Sequence, residues 1–161
     1  MNATDRKRTF EAWLTAHRGL VAKVVRAYAA SAHDADDLFQ EITAQLWLSV
    51  PNFDGQSKVS TWIYRVALFT AITWTRKERR HRHGREPLVD LTADDPGADP
   101  RIGWLYRRIA ELEPVDRSLM LLLLEGLSYQ EMASMLGISE SNVGVRIHRI
   151  KKRFGDEARE G

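Results

Sequence analysis

Two stretches of this chain carry side chains whose types and spacing suit a polyanion. The first, "WIYRVALFTAITWTRKERRHRHGR", runs from Trp62 to Arg85 and adds Arg76, Lys77, Arg79, Arg80, Arg82 and Arg85 against Glu78 alone. A helix end tolerates one or two cations through its dipole, but six repel one another unless something neutralises them, and a phosphate backbone does so. The second, "SESNVGVRIHRIKKRF", repeats polar and basic residues at helical spacing through Asn142, Arg146, Arg149 and Arg153. Such a row can enter a major groove, with Ser141, Asn142 and Arg146 near base edges and Arg149, Lys152 and Arg153 nearer phosphates. A third cluster has the opposite sign: "HDADDLFQE" gathers Asp34, Asp36, Asp37 and Glu41. Catalytic chemistry finds no support. There is no phosphate-binding glycine loop, metal-ligand set or nucleophile with a partnered base, so neither an enzyme nor a cofactor is expected. His81 and His83 lie among arginines without nearby carboxylates and read as solvated or phosphate-facing rather than metal-binding.

The elements that must position these residues are helical throughout. Phe10, Trp13, Leu14, Leu20, Val21, Val24, Val25 and Tyr28 predict one helix, or a pair broken around Gly19, and Leu38, Ile42 and Leu46 form a second stripe. The aspartates of "HDADD" suit the start of that second helix. Pro51, Asn52, Asp54 and Gly55 break the pattern, and Ser60 or Thr61 is placed to cap a third helix from about Trp62, with Trp62, Val66 and Phe69 on one packed side and Ile63, Ala67, Thr70 and Trp74 on the adjacent one. Farther on, Ile102, Leu105, Ile109 and Leu112 predict a helix ended by Pro114, and "VDRSLMLLLLEG" a deeply buried one. In "GLSYQEMASMLGISESNVGVRIHRIKKRF", Ser128 and Glu131 make a capping box, Gly137 supplies a left-handed stop, and Ser139 caps a last helix buried through Val143, Ile147, Ile150 and Phe154. Small Ala133, turn Gly137 and apolar Val143 together match a helix-turn-helix. The fold class is all-α, with no strand-like alternation.

Charge divides the chain of 161 residues more sharply than its net +2 suggests. Residues 1–85 carry 14 Lys/Arg against 8 Asp/Glu, residues 86–100 carry none against 5, and residues 101–161 carry 10 against 9. The middle segment, "EPLVDLTADDPGADP", is rich in proline and acid and reads as a linker between two small helical domains. It is either a solvated tether or a mimic of a nucleic-acid backbone inside a partner's basic channel. The absence of cysteine excludes disulfides and thiolate metal sites and agrees with a reducing compartment. The charge-free apolar segment Val66 to Thr75 is too short for the roughly 20 residues of a spanning helix, and the start "MNATDRKRTFEAW" has no signal-peptide character, so no membrane insertion and a cytoplasmic location are expected.

Taken in order, "DADDLFQEITAQLW", "FDGQSKVSTWIYRVALFTAITWTRKERR" and "LSYQEMASMLGISESNVGVRIHRIKKRF" closely resemble an extracytoplasmic-function (ECF, group IV) sigma factor of the sigma-70 family. The resemblance implies a promoter-recognition subunit of bacterial RNA polymerase: region two in residues 1–85, the acidic linker in 86–100, region four in 101–161. By likeness, Asp37, Leu38, Gln40 and Glu41 would meet the beta-prime coiled coil of the core enzyme, with the beta subunit as a further neighbour. Asn52, Phe53, Asp54, Gly55, Lys58, Ser60, Thr61 and Trp62 would form or support the loop that catches an unstacked non-template base of the minus-ten element, and Arg65, Arg76, Lys77, Arg79 and Arg80 would hold duplex and separating strand. Ser139, Ser141, Asn142, Arg146, Arg149, Lys152 and Arg153 would contact the minus-thirty-five element. The linker would thread toward the RNA exit path, and an anti-sigma factor is an optional partner. Three positions depart from the family pattern. Phe69 and Thr73 stand where asparagine and aspartate are usual, and Gly144 where a basic residue is usual, leaving either closer backbone approach to DNA or an altered promoter preference. The rival readings are a two-domain helix-turn-helix regulator that needs no polymerase, and an RNA binder that uses Arg76–Arg85.

Overall fold

The computed structural model describes residues 1–81 and 99–160, the side chains of Arg80, His81 and residues 157–160 excepted; residues 82–98, which include Arg82, His83, Arg85 and nearly all of the acidic linker, lie outside the described residues. The described residues form seven α-helices and no strand. They fall into two compact units, one on each side of the linker segment.

In the first unit, α1 (Ala3–Tyr28), α2 (Ala32–Ser49) and α3 (Val59–His81) pack together, with a 3-10 turn at Val50–Asn52 between the last two. Trp13, Val21, Val24, Val25 and Tyr28 of α1 meet Leu38, Ile42 and Leu46 of α2 and Ile63, Ala67, Leu68, Ala71 and Ile72 of α3 in one core. Each helix buries the stripe that its 3.6-residue period aligns. Helical angles lapse within α1 at His17 (φ −124°, ψ 25°), two residues before Gly19. The glycine weakens the turn that contains it, and the departure falls at that turn's leading edge.

Two helix starts differ from expectation. Ser31, not an aspartate, caps α2: its hydroxyl accepts from the Asp34 N–H at 3.1 Å. Asp34 lies inside the first turn, 2% exposed, and its carboxylate accepts from the Ala30 N–H at 3.4 Å. The acids still favour the positive end of the helix, but the local capping hydrogen bond comes from serine. In α3, the Trp62 N–H already donates to the Lys58 carbonyl at 3.1 Å, so Ser60 and Thr61 sit in the first turn rather than capping it. Phe69, expected on a packed side, is 41% exposed, while Ile63, Ala67, Ala71 and Trp74 face the core.

An aromatic lattice locks the α2–α3 connection onto α1. Phe53 stands edge-on to Trp13 at 5.4 Å and to Trp62 at 5.5 Å, and Trp62 donates through Nε1 to Ser49 Oγ at 3.1 Å. Phe10 packs edge-on against Trp47, whose ring lies 4.3 Å from the Arg6 guanidinium carbon and whose carbonyl accepts from Arg6 Nη2 at 2.7 Å. Such T-shaped pairs contribute about 0.5–1.5 kcal/mol each beyond the area they bury.

The second unit comprises α4 (Pro100–Ala110), α5 (Pro114–Leu124), α6 (Tyr129–Leu136) and α7 (Glu140–Glu160). Asp99 caps α4, accepting from the Arg101 side chain at 2.7 Å and its N–H at 2.9 Å, which holds its carboxyl below the ordinary carboxylate value; that contribution is present above the ordinary range and lost as pH falls below it. The buried side of α4 is Gly103, Tyr106 and Ile109, and Ile102, expected inside, is 42% exposed. In α5, Leu119, Met120, Leu121 and Leu122 are all buried, and buried Arg117 donates to the Leu112 carbonyl at 2.8 Å. The α6–α7 turn follows its local chemistry closely: both capping-box bonds between Ser128 and Glu131 form, Gly137 adopts φ 71°, and Ser139 Oγ accepts from the Asn142 N–H at 3.0 Å. Met132, Ala133, Val143, Ile147 and Ile150 close the pair over α5.

Candidate nucleic-acid interface

On α2, the residues left outside form one stripe. Asp37, Gln40, Glu41, Ala44, Gln45 and Leu48 recur at three- and four-residue steps and are exposed, Leu48 to 57%. Gln45 Nε2 donates to Glu41 Oε1 at 3.4 Å, and Trp74 Nε1 donates to Asp37 Oδ2 at 3.1 Å, fixing the head of the stripe against α3. Leu38 does not belong to it. It is 0% exposed, one turn before Ile42 on the buried stripe, so a side chain expected at a partner surface is core instead. Leu48, on the outer face of an amphipathic helix where a lone apolar residue is easily passed over, was missed from sequence.

A second face lies on α3. Arg65, Phe69, Thr73, Arg76 and Lys77 are exposed along its length, and Arg79 is exposed as well. The Arg65 guanidinium carbon is 5.6 Å from the centre of the Phe69 ring. Between α2 and α3 is an open cleft of about 430 Å³, bordered by Gln45, Leu48, Asn52, Trp62, Arg65 and Phe69 among others. The loop beside it carries exposed Asn52, Asp54, Gly55 and Lys58; Gly55 takes φ 77°, which a side chain would strain, and Asp54 Oδ1 accepts from the Gln56 N–H at 3.0 Å. Phe53, Ser60, Thr61 and Trp62 are half-buried, with Phe53 wedged in the aromatic lattice as a support. The fold therefore brings the loop and the basic helix together on one unit. Arg80 is placed only in its backbone.

On α7, the outermost line differs from the expected one. Val143, Ile147 and Ile150 point inward, so the opposite side of the helix carries Ser141, Val145, His148, Arg149 and Lys152, all exposed, Val145 to 52%. Asn142 and Arg146 stand on the shoulder and are half-buried. Arg146 is engaged internally: Nη1 donates to Asp116 Oδ1 at 2.9 Å and Nε to Asn142 Oδ1 at 3.1 Å. Arg153 Nη2 lies 3.7 Å from Glu111 Oε2. Val145 and His148 were missed because the basic row, rather than the direction opposite the core, set the expected face. A side chain on Gly144 would start 3.7 Å from the Tyr129 ring, toward α6, so the missing Cβ does not open a path to DNA. Ordinary contact there and better helix propensity make Gly144→Ala stabilising by about 0.5–1 kcal/mol, read from the urea midpoint.

No helix among the described residues is long and apolar enough to cross a membrane, and no group of three or more His, Cys, Asp or Glu there could hold a metal ion. The family model "Sigma-70 region 2" matches residues 13–81 and "Sigma-70, region 4" matches residues 102–154. The chain is 32% identical over 143 residues to the ECF RNA polymerase sigma factor SigF of Caulobacter vibrioides, covering 87% of this chain and 79% of that protein. It is 28% identical over 149 residues to the ECF RNA polymerase sigma factor SigE of Mycolicibacterium smegmatis, covering 87% of this chain but 58% of that longer protein. In fold it is similar to the sigma factor RpoE solved in complex with the anti-sigma factor NepR from Bartonella quintana, with a TM-score of 0.73, 17% identity and 96% of each chain covered. Two sigma-70 regions in their proper order, with the acidic stripe in the first and the outward helix in the second, place the chain in the sigma-70 family, as an ECF sigma factor.

Proposed function

We propose that the chain binds core RNA polymerase in the cytoplasm, directs it to particular promoters and helps open the DNA there. One observation carries this reading: the first unit presents an acidic, polar stripe on α2 and a cationic one on α3. Asp37 also holds Trp74, but an exposed acidic and polar row that continues to Glu41 and Gln45 would repel nucleic acid, whereas a basic protein partner on one face and a phosphate backbone on the other account for both stripes. Asp37, Gln40, Glu41, Gln45 and Leu48 form the polymerase face, where one exposed leucine amid polar residues suits a helical partner. A regulator that acts without polymerase leaves this stripe unused.

The loop from Asn52 to Lys58, backed by Phe53 and Trp62, takes an unstacked base of the minus-ten strand, while Arg65, Arg76, Lys77 and Arg79 hold the backbone beside it. Opening then needs no chemical step. Preference for the separated strand shifts the duplex equilibrium by the difference in affinity. On α7, Ser141, Val145, His148 and Arg149 face the bases of the minus-thirty-five element, with Asn142 at the edge of that set, and Lys152 faces the phosphates. Arg146, tied to Asp116, leaves the base-contacting set in which it was first placed. Residues 86–100 act as the connector, and an anti-sigma factor remains an optional partner of a kind that the RpoE relative has in NepR.

The opening step is tested with permanganate, which modifies unpaired thymines. Core polymerase with the chain should render minus-ten thymines reactive on a cognate promoter, and core polymerase alone should not; reactivity independent of the chain refutes the reading. For the upstream contact, Arg149→Ala should weaken promoter binding by roughly 1–3 kcal/mol and relax selection at one base pair. Equal loss on every DNA sequence would assign Arg149 to phosphate.

A further inference from the structure

The tie that removes Arg146 from the DNA face has a second effect, on the residue one turn before it. We infer that Asn142 is a specificity-determining residue that acts as a hydrogen-bond donor only, because Arg146, itself held by Asp116, fixes the orientation of its amide. This inference rests on the reading of α7 as the upstream recognition helix.

Arginine has donors and no acceptor, so the Asn142 atom that faces Arg146 Nε at 3.1 Å must be the carbonyl oxygen. The orientation of the amide, commonly ambiguous, is thus set by chemistry. Arg146 cannot easily swing away, since its Nη1 lies 2.9 Å from Asp116 Oδ1, and the two side chains are only 33% and 18% exposed. Asp116 is in turn well placed, in the first turn of α5, where a helix favours negative charge. The backbone end of Asn142 is fixed as well, its N–H donating to Ser139 Oγ. What remains is the Nδ2 group, which has no partner among the described residues. It sits in the first turn of α7, the part of a recognition helix that reaches base edges.

An asparagine free to rotate reads adenine with both ends of its amide, accepting from N6 and donating to N7. With Oδ1 turned along its own helix toward Arg146, that fork is not presented. A lone donor instead suits guanine, whose major-groove edge has two acceptors, or thymine O4, and opposes cytosine, whose N4 is itself a donor. Asp116, thirty residues away in sequence and in another helix, is therefore a positioning residue for promoter choice.

The test uses polymerase holoenzyme formed with the full chain and a promoter library randomised across the upstream element, with bound sequences counted. Wild type should show one position enriched in guanine or thymine and depleted in cytosine. Asn142→Ala should flatten that position alone by about tenfold. Asn142→Asp, an acceptor, should invert it toward cytosine. Asp116→Ala should leave Asn142 present but released, moving the same position toward adenine, an effect that mere loss of stability would not produce. Unchanged preference at every position in Asn142→Ala and Asn142→Asp overturns the inference, and an unchanged profile in Asp116→Ala overturns the positioning part. Failure of the wild-type holoenzyme to select any upstream element would instead refute the reading of α7 itself.

Discussion

Glu41→Lys is expected to weaken binding to core RNA polymerase by at least tenfold while leaving the fold intact. Glu41 is exposed, and its bond to Gln45 is long, so the change should alter stability by no more than about 0.5 kcal/mol. At an interface with a basic partner the same change replaces attraction by like-charge contact, which costs several kcal/mol, and each 1.4 kcal/mol is tenfold in affinity. Glu11→Lys supplies the control. It makes an identical change of charge in the same unit, but at an exposed site on α1 rather than on α2, so affinity should fall only a few-fold at low salt, and less as salt screens it. Equal losses for the two variants would mean that total charge, not the α2 stripe, governs docking. Surface-immobilised core enzyme and a series of chain concentrations give both constants.

The second large effect separates two leucines ten residues apart. Leu38→Ala should destabilise the first unit by about 2–5 kcal/mol, the cost of removing a fully buried leucine and leaving a cavity among α1, α2 and α3. Domains have only about 5–15 kcal/mol in total, so a substantial part of the stability would go. Leu48→Ala removes the same atoms from a side chain that is 57% exposed and should leave the urea midpoint nearly unchanged while weakening polymerase binding several-fold. Tryptophan fluorescence reports the first unit well, because Trp13, Trp47, Trp62 and Trp74 all lie in it. If Leu38→Ala instead kept the midpoint and lost only binding, Leu38 would belong to the interface and its place in the core would be wrong.

These leucines also show where sequence is legible. Capping and turn signals act over three or four residues, so Ser128, Glu131, Gly137 and Ser139 were assigned correctly from spacing alone, and the α6–α7 pair with them. The inward stripes Leu38–Ile42–Leu46 and Val143–Ile147–Ile150 were equally plain. Motif likeness nevertheless drew Leu38 onto the polymerase face, against its own periodicity. Phe69 was placed inside by its apolar type, although Ile63, Ala67, Ala71 and Trp74 already form the buried side of α3 and the Trp62–Val66–Phe69 row lies on another. Other features depend on residues far apart in the chain. Nothing near Arg146 announces Asp116, and nothing near Phe53 announces Trp13; the basic row on α7 could not reveal that one of its members is already paired. Sequence thus narrowed the candidate faces to particular helices, and packing decided which side chains on each are exposed.

This chain should confer promoter choice on a polymerase that lacks it. The most direct measurement is to add the purified chain to bacterial core RNA polymerase on fragmented genomic DNA and sequence the 5′ ends of the transcripts. A small set of sharp start sites should appear only with the chain, each preceded by shared upstream and minus-ten elements. Start sites that are the same with and without it, despite stable association of the two, would mean that the chain does not set promoter choice.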